Sequence, residues 1–244
     1  MIYKSLLFFI NIYIFFLGTN ILNAQTTSIP DSVFEQYLVT TGIDNDGVIN
    51  GQVFTSDISG ITELNITSYN ISNFEGLQYF SALTHFTLIN NQVATSFNID
   101  FKDNINLQEI VIINTPNLGA VFGLASIVNL TSLTVVTNGD LLDYIFLPPT
   151  LNSATIAQNA ITTLNLEGNV LLKQLNIAAN PLTEINVSYL TELETLDTYE
   201  SQITYLDLSK NTKLTSLNSH SGALTEVKFK KGSNNILISV QLDN

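Results

Sequence analysis

The chain has 244 residues, with 8 lysines, no arginine and 21 acids, for a formal net charge of −13. That balance lacks the basic footprint a nucleic-acid binder uses to displace counterions, and the bidentate guanidinium clamp of many phosphate sites. With no cysteine there is no disulfide framework, thiolate nucleophile or Cys-ligated zinc, and two histidines leave little acid–base chemistry near neutral pH.

In chain order, Lys4 supplies one positive charge and residues 6–17 form an apolar run broken by Asn11. Leu22-Asn23-Ala24 then offers a small-residue cleavage pattern. Residues 1–24 read as a secretory signal peptide, because the run is short for a bilayer span. An uncleaved N-terminal anchor is the competing reading. After cleavage no further segment is long and apolar enough to span a membrane.

Residues 25–60 read as a cap. Pro30 and Asp31 open a short amphipathic helix, Ser32 and Glu35 have capping-box spacing, and Phe34, Tyr37 and Leu38 would cover the first coil. The following Asp44-Asn45-Asp46-Gly47 turn fits the third, fifth and sixth places of a calcium loop. Gly42 and Val53 stand at the first and twelfth places, where ligands belong. No metal site is therefore expected; calcium held by Asp44, Asp46 and Asn50 is the alternative.

Residues 61–235 repeat. Leu172, Leu175, Ile177, Asn180 and Leu182 fit L-x-x-L-x-L-x-x-N-x-L, the leucine-rich repeat pattern, and steps of 21 residues recover it in both directions. Units start near residues 61, 83, 107, 130, 151, 172, 193 and 214, with Asn91, Asn138, Asn159 and Asn180 as ladder asparagines. Tyr69 and Thr115 replace that asparagine, and Thr198 and Ser219 occupy inward apolar places, where their hydroxyls can bond locally. Each L-x-L is a strand with alternating faces, and no coil buries enough surface alone. The expected fold is a leucine-rich repeat solenoid: a curved parallel β-sheet of about 8–9 coils with an extended or 3-10 convex side. Residues 236–244 read as a terminal strand that either closes the stack or marks a fragment of a longer surface protein.

The cap motif Ile29-Pro30-Asp31, Phe34-Glu35, Gly42-Ile43-Asp44 and Asp46-Gly47, with Leu175-Asn176-Ile177 and Leu206-Asp207-Leu208-Ser209 in the repeats, resembles extracellular leucine-rich repeat proteins of Bacteroidetes, especially flavobacteria. More distantly it is similar to internalin-type repeat proteins. The resemblance implies secretion or surface display and binding of other macromolecules, without a shared catalytic activity. Many relatives carry a C-terminal sorting domain, and nothing after Leu242 fits one.

The register places outward side chains in columns. Ile89, Val111, Ile113 and Val136 cluster on units two to four, either as a contact surface or as β-branched strand packing. Asp197, Tyr199, Glu200, Asn218 and His220 form a second candidate patch on units seven and eight. Glu63 and Glu109 flank His85, but His85 and His220 stand six coils apart, about 30 Å at strand spacing, too far for a shared site. The sequence therefore predicts no catalytic residues and no cofactor, and a protein or glycan partner at the concave face of a secreted or surface protein. A structural spacer for a missing C-terminal domain is the alternative.

Overall fold

The computed structural model describes residues 25–230 and the backbone of the strand Ser239–Leu242. The leader expected over residues 1–24 lies outside the described residues. The cap comprises β1 (Thr26–Ser28), α1 (Ser32–Thr40), β2 (Gln52–Phe54) and α2 (Thr55–Ile58). The early coils contain β3 (Glu63–Thr67), β4 (His85–Ile89), β5 (Phe97–Asp100), β6 (Glu109–Ile113), β7 (Leu118–Phe122) and β8 (Ser132–Val136). The later ones contain β9 (Ser153–Ile156), β10 (Gln174–Asn176), β11 (Thr195–Asp197) and β12 (Tyr205–Asp207). The chain continues through β13 (Ser216–Ser219), β14 (Glu226–Lys228) and β15 (Ser239–Leu242).

The fold is a leucine-rich repeat solenoid. Strands β3, β4, β6, β8, β9, β10, β11, β13 and β15 pair in that order, all parallel, as one nine-stranded sheet. Each contributes one coil, numbered one to nine here. The return side holds the short pairs β5–β7 and β12–β14 and the 3-10 turns Leu77–Tyr79 and Leu124–Ser126. Twenty-one residues per coil leave too little chain for a returning helix, as the spacing predicts.

Alternation explains the strands. Along β4, Phe86 and Leu88 are buried while His85, Thr87 and Ile89 face outward, and β6 and β8 repeat this. A stack of phenylalanines joins cap to coils: Phe34 lies 5.6 Å from Phe74, Phe74 6.1 Å from Phe86, and Phe86 5.0 Å from Phe101. These rings occupy the longer N-terminal coils.

Leaving the sheet, coils one to eight each turn through a non-glycine residue in the left-handed region, at Ser68, Asn90, Asn114, Asn138, Gln158, Ala179, Glu200 and Ser221. Such a residue costs about 1–2 kcal/mol. In coils one to seven the next coil offsets it, because the turn N–H finds a carbonyl there, as from Asn90 to Ile113 at 3.0 Å and Ala179 to Tyr199 at 2.7 Å.

Buried asparagines tie coils together. Asn180 Nδ2 donates to the Ile156 and Ile177 carbonyls at 2.6 and 3.0 Å, and its Oδ1 accepts from Ile161 N at 3.3 Å. Asn91 and Asn159 do the same in their coils. A second set, Asn104, Asn169 and Asn211, bonds carbonyls of the preceding coil on the return side.

Four local expectations need correction. Asn138 is not a buried ladder residue: coil four has one extra residue, Thr137 takes the buried place, and Asn138 makes the left-handed turn. Its amide reaches Asn114 Oδ1 at 3.4 Å, extending a surface ladder with Asn90. Gly139 permits this, since a Cβ there would lie 2.0 Å from the Pro116 carbonyl oxygen. Thr198 and Ser219 bond each other across coils, at 2.9 Å, rather than locally.

Nor does Ser32 cap the helix. Asp31 does, with Oδ1 accepting from Val33 N and Phe34 N at 2.9 and 3.1 Å. Its Oδ2 accepts from the Ser72 hydroxyl and backbone N–H and from Asn73 N, which fastens the cap to coil one. Glu35, in place of a capping box, is 1% exposed and accepts N–H groups of Asn50, Gly51 and Gln52. Tyr37 packs edge-on against Tyr69, and its hydroxyl accepts from Asn65 N, so Tyr69 serves the cap where an asparagine would serve the ladder.

Candidate functional site

The outward face of the nine-stranded sheet carries both predicted patches. Ile89, Ile113 and Val136 are aligned partners across β4, β6 and β8, while Val111 sits between Thr87 and Thr134 one step earlier. The four are brought together, but each is half-buried. At about 4.8 Å between strands, the branched side chains cover one another.

Beyond Val136 the same column changes. Ala157 and Ala178, which follow in it by the 21-residue step, are only 6% and 8% exposed. Tyr199 and His220 follow, with ring centroids 6.2 Å apart. Asp197 pairs with Asn218 in register; Asp197 Oδ2 accepts from Asn218 Nδ2 at 3.2 Å and Oδ1 from Tyr199 N at 2.9 Å. Glu200 departs from this group. It occupies the left-handed turn after β11 and lines a different hollow, with Asp140 and Gln202.

Sequence reasoning missed a hollow of about 240 Å³ on the sheet face of coils five to eight. One wall is the row Ser153, Gln174, Thr195 and Ser216 at the strand starts, and the other is Thr155, Asn176, Asp197 and Asn218. The signal was present as a run of hydroxyl and amide residues at outward positions, which alone reads as a solvated face.

The acidic row is also real: Glu63, His85 and Glu109 are register partners, and His85 Nδ1 lies 2.9 Å from the Thr84 hydroxyl. Among the described residues, no group of three or more His, Cys, Asp or Glu could hold a metal ion. In the suspected calcium loop, Asp46 accepts Val48 N and Asn50 Nδ2, both at 2.8 Å, Asp44 accepts Asp46 N, and Asn50 Oδ1 accepts Gln52 N. Those oxygens close the loop itself. Burial, reinforced by the Asp46 and Glu35 charges, pushes the Asp44 carboxyl up despite the Asp46 N–H. Burial works against the charge on Asp31, but its bonds from Ser72, Phe34 and Asn73 outweigh it and hold that carboxyl low. Asp207 is held low by Lys228, 2.6 Å away on the return side.

No protein-family model and no curated protein matches the chain. Solved structures are similar in fold. Internalin C2 of Listeria monocytogenes gives a TM-score of 0.69 at 21% identity, over 90% of this chain and 98% of that one. A leucine-rich repeat protein of Leptospira interrogans gives 0.65 at 18%, over 78% and 50% of the respective chains. An internalin-like protein of Listeria monocytogenes gives 0.59 at 18%, over 83% and 66%. At these identities the likeness establishes the internalin-like repeat fold. No helix among the described residues is long and apolar enough to cross a membrane.

Proposed function

We propose that this chain is an exported, non-enzymatic bacterial binding module that contacts a protein partner through the sheet face at Ile89, Val111, Ile113 and Val136. The carrying observation is the register: three neighbouring strands align branched apolar side chains on an outward face. Export rests on the leader-like residues 1–24, and a flavobacterial source on the cap and repeat motifs. The titratable groups with clear shifts at Asp31, Asp44 and Asp207 lie in the cap or on the return side, away from this face. That distribution supports binding rather than proton-transfer chemistry.

A second reading, a spacer within a larger surface protein, draws on the half-burial of the four side chains, which already cover one another. The test uses residues 25–244 as bait against separated surface proteins, beside an Ile89→Asp/Ile113→Asp variant, with circular dichroism confirming the fold. Ile89→Thr/Ile113→Thr replaces it if the aspartates unfold the sheet. A defined partner captured by wild type and lost by a folded variant supports binding through this face. Capture retained by the folded variant overturns the assignment of the face, and capture of no partner favours the spacer.

A further inference from the structure

We propose that the polar hollow on coils five to eight is a subsite for a neutral saccharide; this rests on the sheet face being a binding surface, and adds a ligand class to it. The shape comes from side-chain size. Where Val136 and Tyr199 project at either side, coils five and six carry Ala157 and Ala178, both buried, so the face dips between them. The hollow of about 240 Å³ lies alongside that dip.

Its chemistry selects by elimination. Apart from the buried Ala154, Leu175 and Leu196, the lining holds hydroxyls, carboxamides and one carboxylate, and no lysine, so an anionic ligand would meet Asp197 with nothing to balance it. A bare cation fares no better, since Asp197 is the single carboxylate of the lining, too few charged oxygens to replace a hydration shell. An apolar ligand would strip water from polar groups and return no hydrogen bonds. A neutral polyhydroxylated ring meets none of these penalties.

The lining also supplies what such a ring needs. Asn176, Asp197 and Asn218 are successive register partners about 4.8 Å apart, so donors and acceptors repeat on the scale of a sugar ring. Asp197 is a charged acceptor whose orientation is set by its two bonds, and hydroxyl donation to carboxylate is among the stronger hydrogen bonds. Tyr199, two residues past Asp197 and outside the lining itself, holds the Asp197 carboxylate through its backbone N–H.

An array of neutral oligosaccharides (cellohexaose, laminarihexaose, mannohexaose and xylohexaose) beside an acidic oligogalacturonide tests this on residues 25–244, with calorimetry on the strongest binder. The expected result is retention of a neutral oligosaccharide and rejection of the acidic one. Asn176→Ala and Asp197→Asn should each weaken binding about tenfold, the effect of one lost or neutralised bond to a polar ligand. The Ile89/Ile113 variant should bind sugar like wild type. Retention of no neutral sugar, preference for the acidic one, or full binding by folded Asn176→Ala overturns the proposal. Protein capture without sugar binding sinks this inference alone; sugar binding without protein capture sinks the apolar interface alone.

Discussion

Replacing Glu35 by alanine tests whether a buried carboxylate seats the N-terminal cap. Oε1 accepts from Asn50, Gly51 and Gln52 at 2.8, 2.8 and 3.1 Å, and Oε2 accepts from Gly51 at 2.9 Å. Bonds to a charged group contribute about 1.5–3 kcal/mol each. Two effects reduce that: the 50–52 turn is exposed, so water can reach the freed N–H groups, and alanine removes the cost of burying a charge. About 1 kcal/mol per N–H is then a fair net figure, or about 3 kcal/mol in all. For a chain of this length that lowers the melting temperature by about 6–12 °C. Glu35→Gln keeps one acceptor oxygen toward the turn and should lose about 1 kcal/mol. Thermal melts followed by circular dichroism give the loss, and hydrogen exchange at the Asn50–Gln52 amides shows whether it arises there. A Glu35→Ala melt within about 1 °C of wild type, with unchanged exchange, refutes the clamp.

Three more predictions follow from buried or constrained groups. Asn180→Ala should cost about 2–4 kcal/mol in urea unfolding, because three carbonyls and one N–H lose a bond to its carboxamide inside the stack; a loss below about 0.5 kcal/mol would contradict the ladder. Asp31 and Asp44 should act oppositely with pH. The low folded pKa of Asp31 gives stability that is present above its unfolded value near 3.8 and is lost as pH falls through the folded pKa, so Asp31→Asn should flatten acid destabilisation. The raised pKa of Asp44 makes its charge destabilising at neutral pH, so Asp44→Asn should melt higher at pH 7, with the gain shrinking on acidification; a gain that persists unchanged in acid counts against this. Finally, Asn50 and Asn138 both precede glycine. Deamidation needs the glycine nitrogen to attack the carboxamide, releasing ammonia before water opens the ring. The Gly51 N–H is held by Glu35, whereas the Gly139 N–H meets a Thr137 hydroxyl at 3.2 Å. Peptide mass spectrometry after alkaline storage should find conversion at Asn138 ahead of Asn50, and equal conversion would show that Glu35 gives no protection.

The 21-residue period and the L-x-x-L-x-L spacing were enough to predict the solenoid, the parallel sheet and the columns of outward residues. Alternation along a strand is a local property, so Ile89, Ile113 and Val136 could be aligned by counting. What each aligned residue does could not be counted. The half-burial of those three depends on neighbours one coil away, and the dip beside Asn176 and Asp197 depends on two alanines in adjoining coils. Asn138 was misplaced because Thr137 and Asn138 are both polar, and a one-residue insertion at a turn leaves the apolar spacing intact. Glu35 looked like a helix-capping residue because its true partners lie 15 to 17 residues on. Sequence by itself determined the repeat, since burying one apolar face per strand is written in every unit. Tertiary structure alone decided which buried polar groups meet, because partners such as Asn180 and Ile156, or Thr198 and Ser219, belong to different coils.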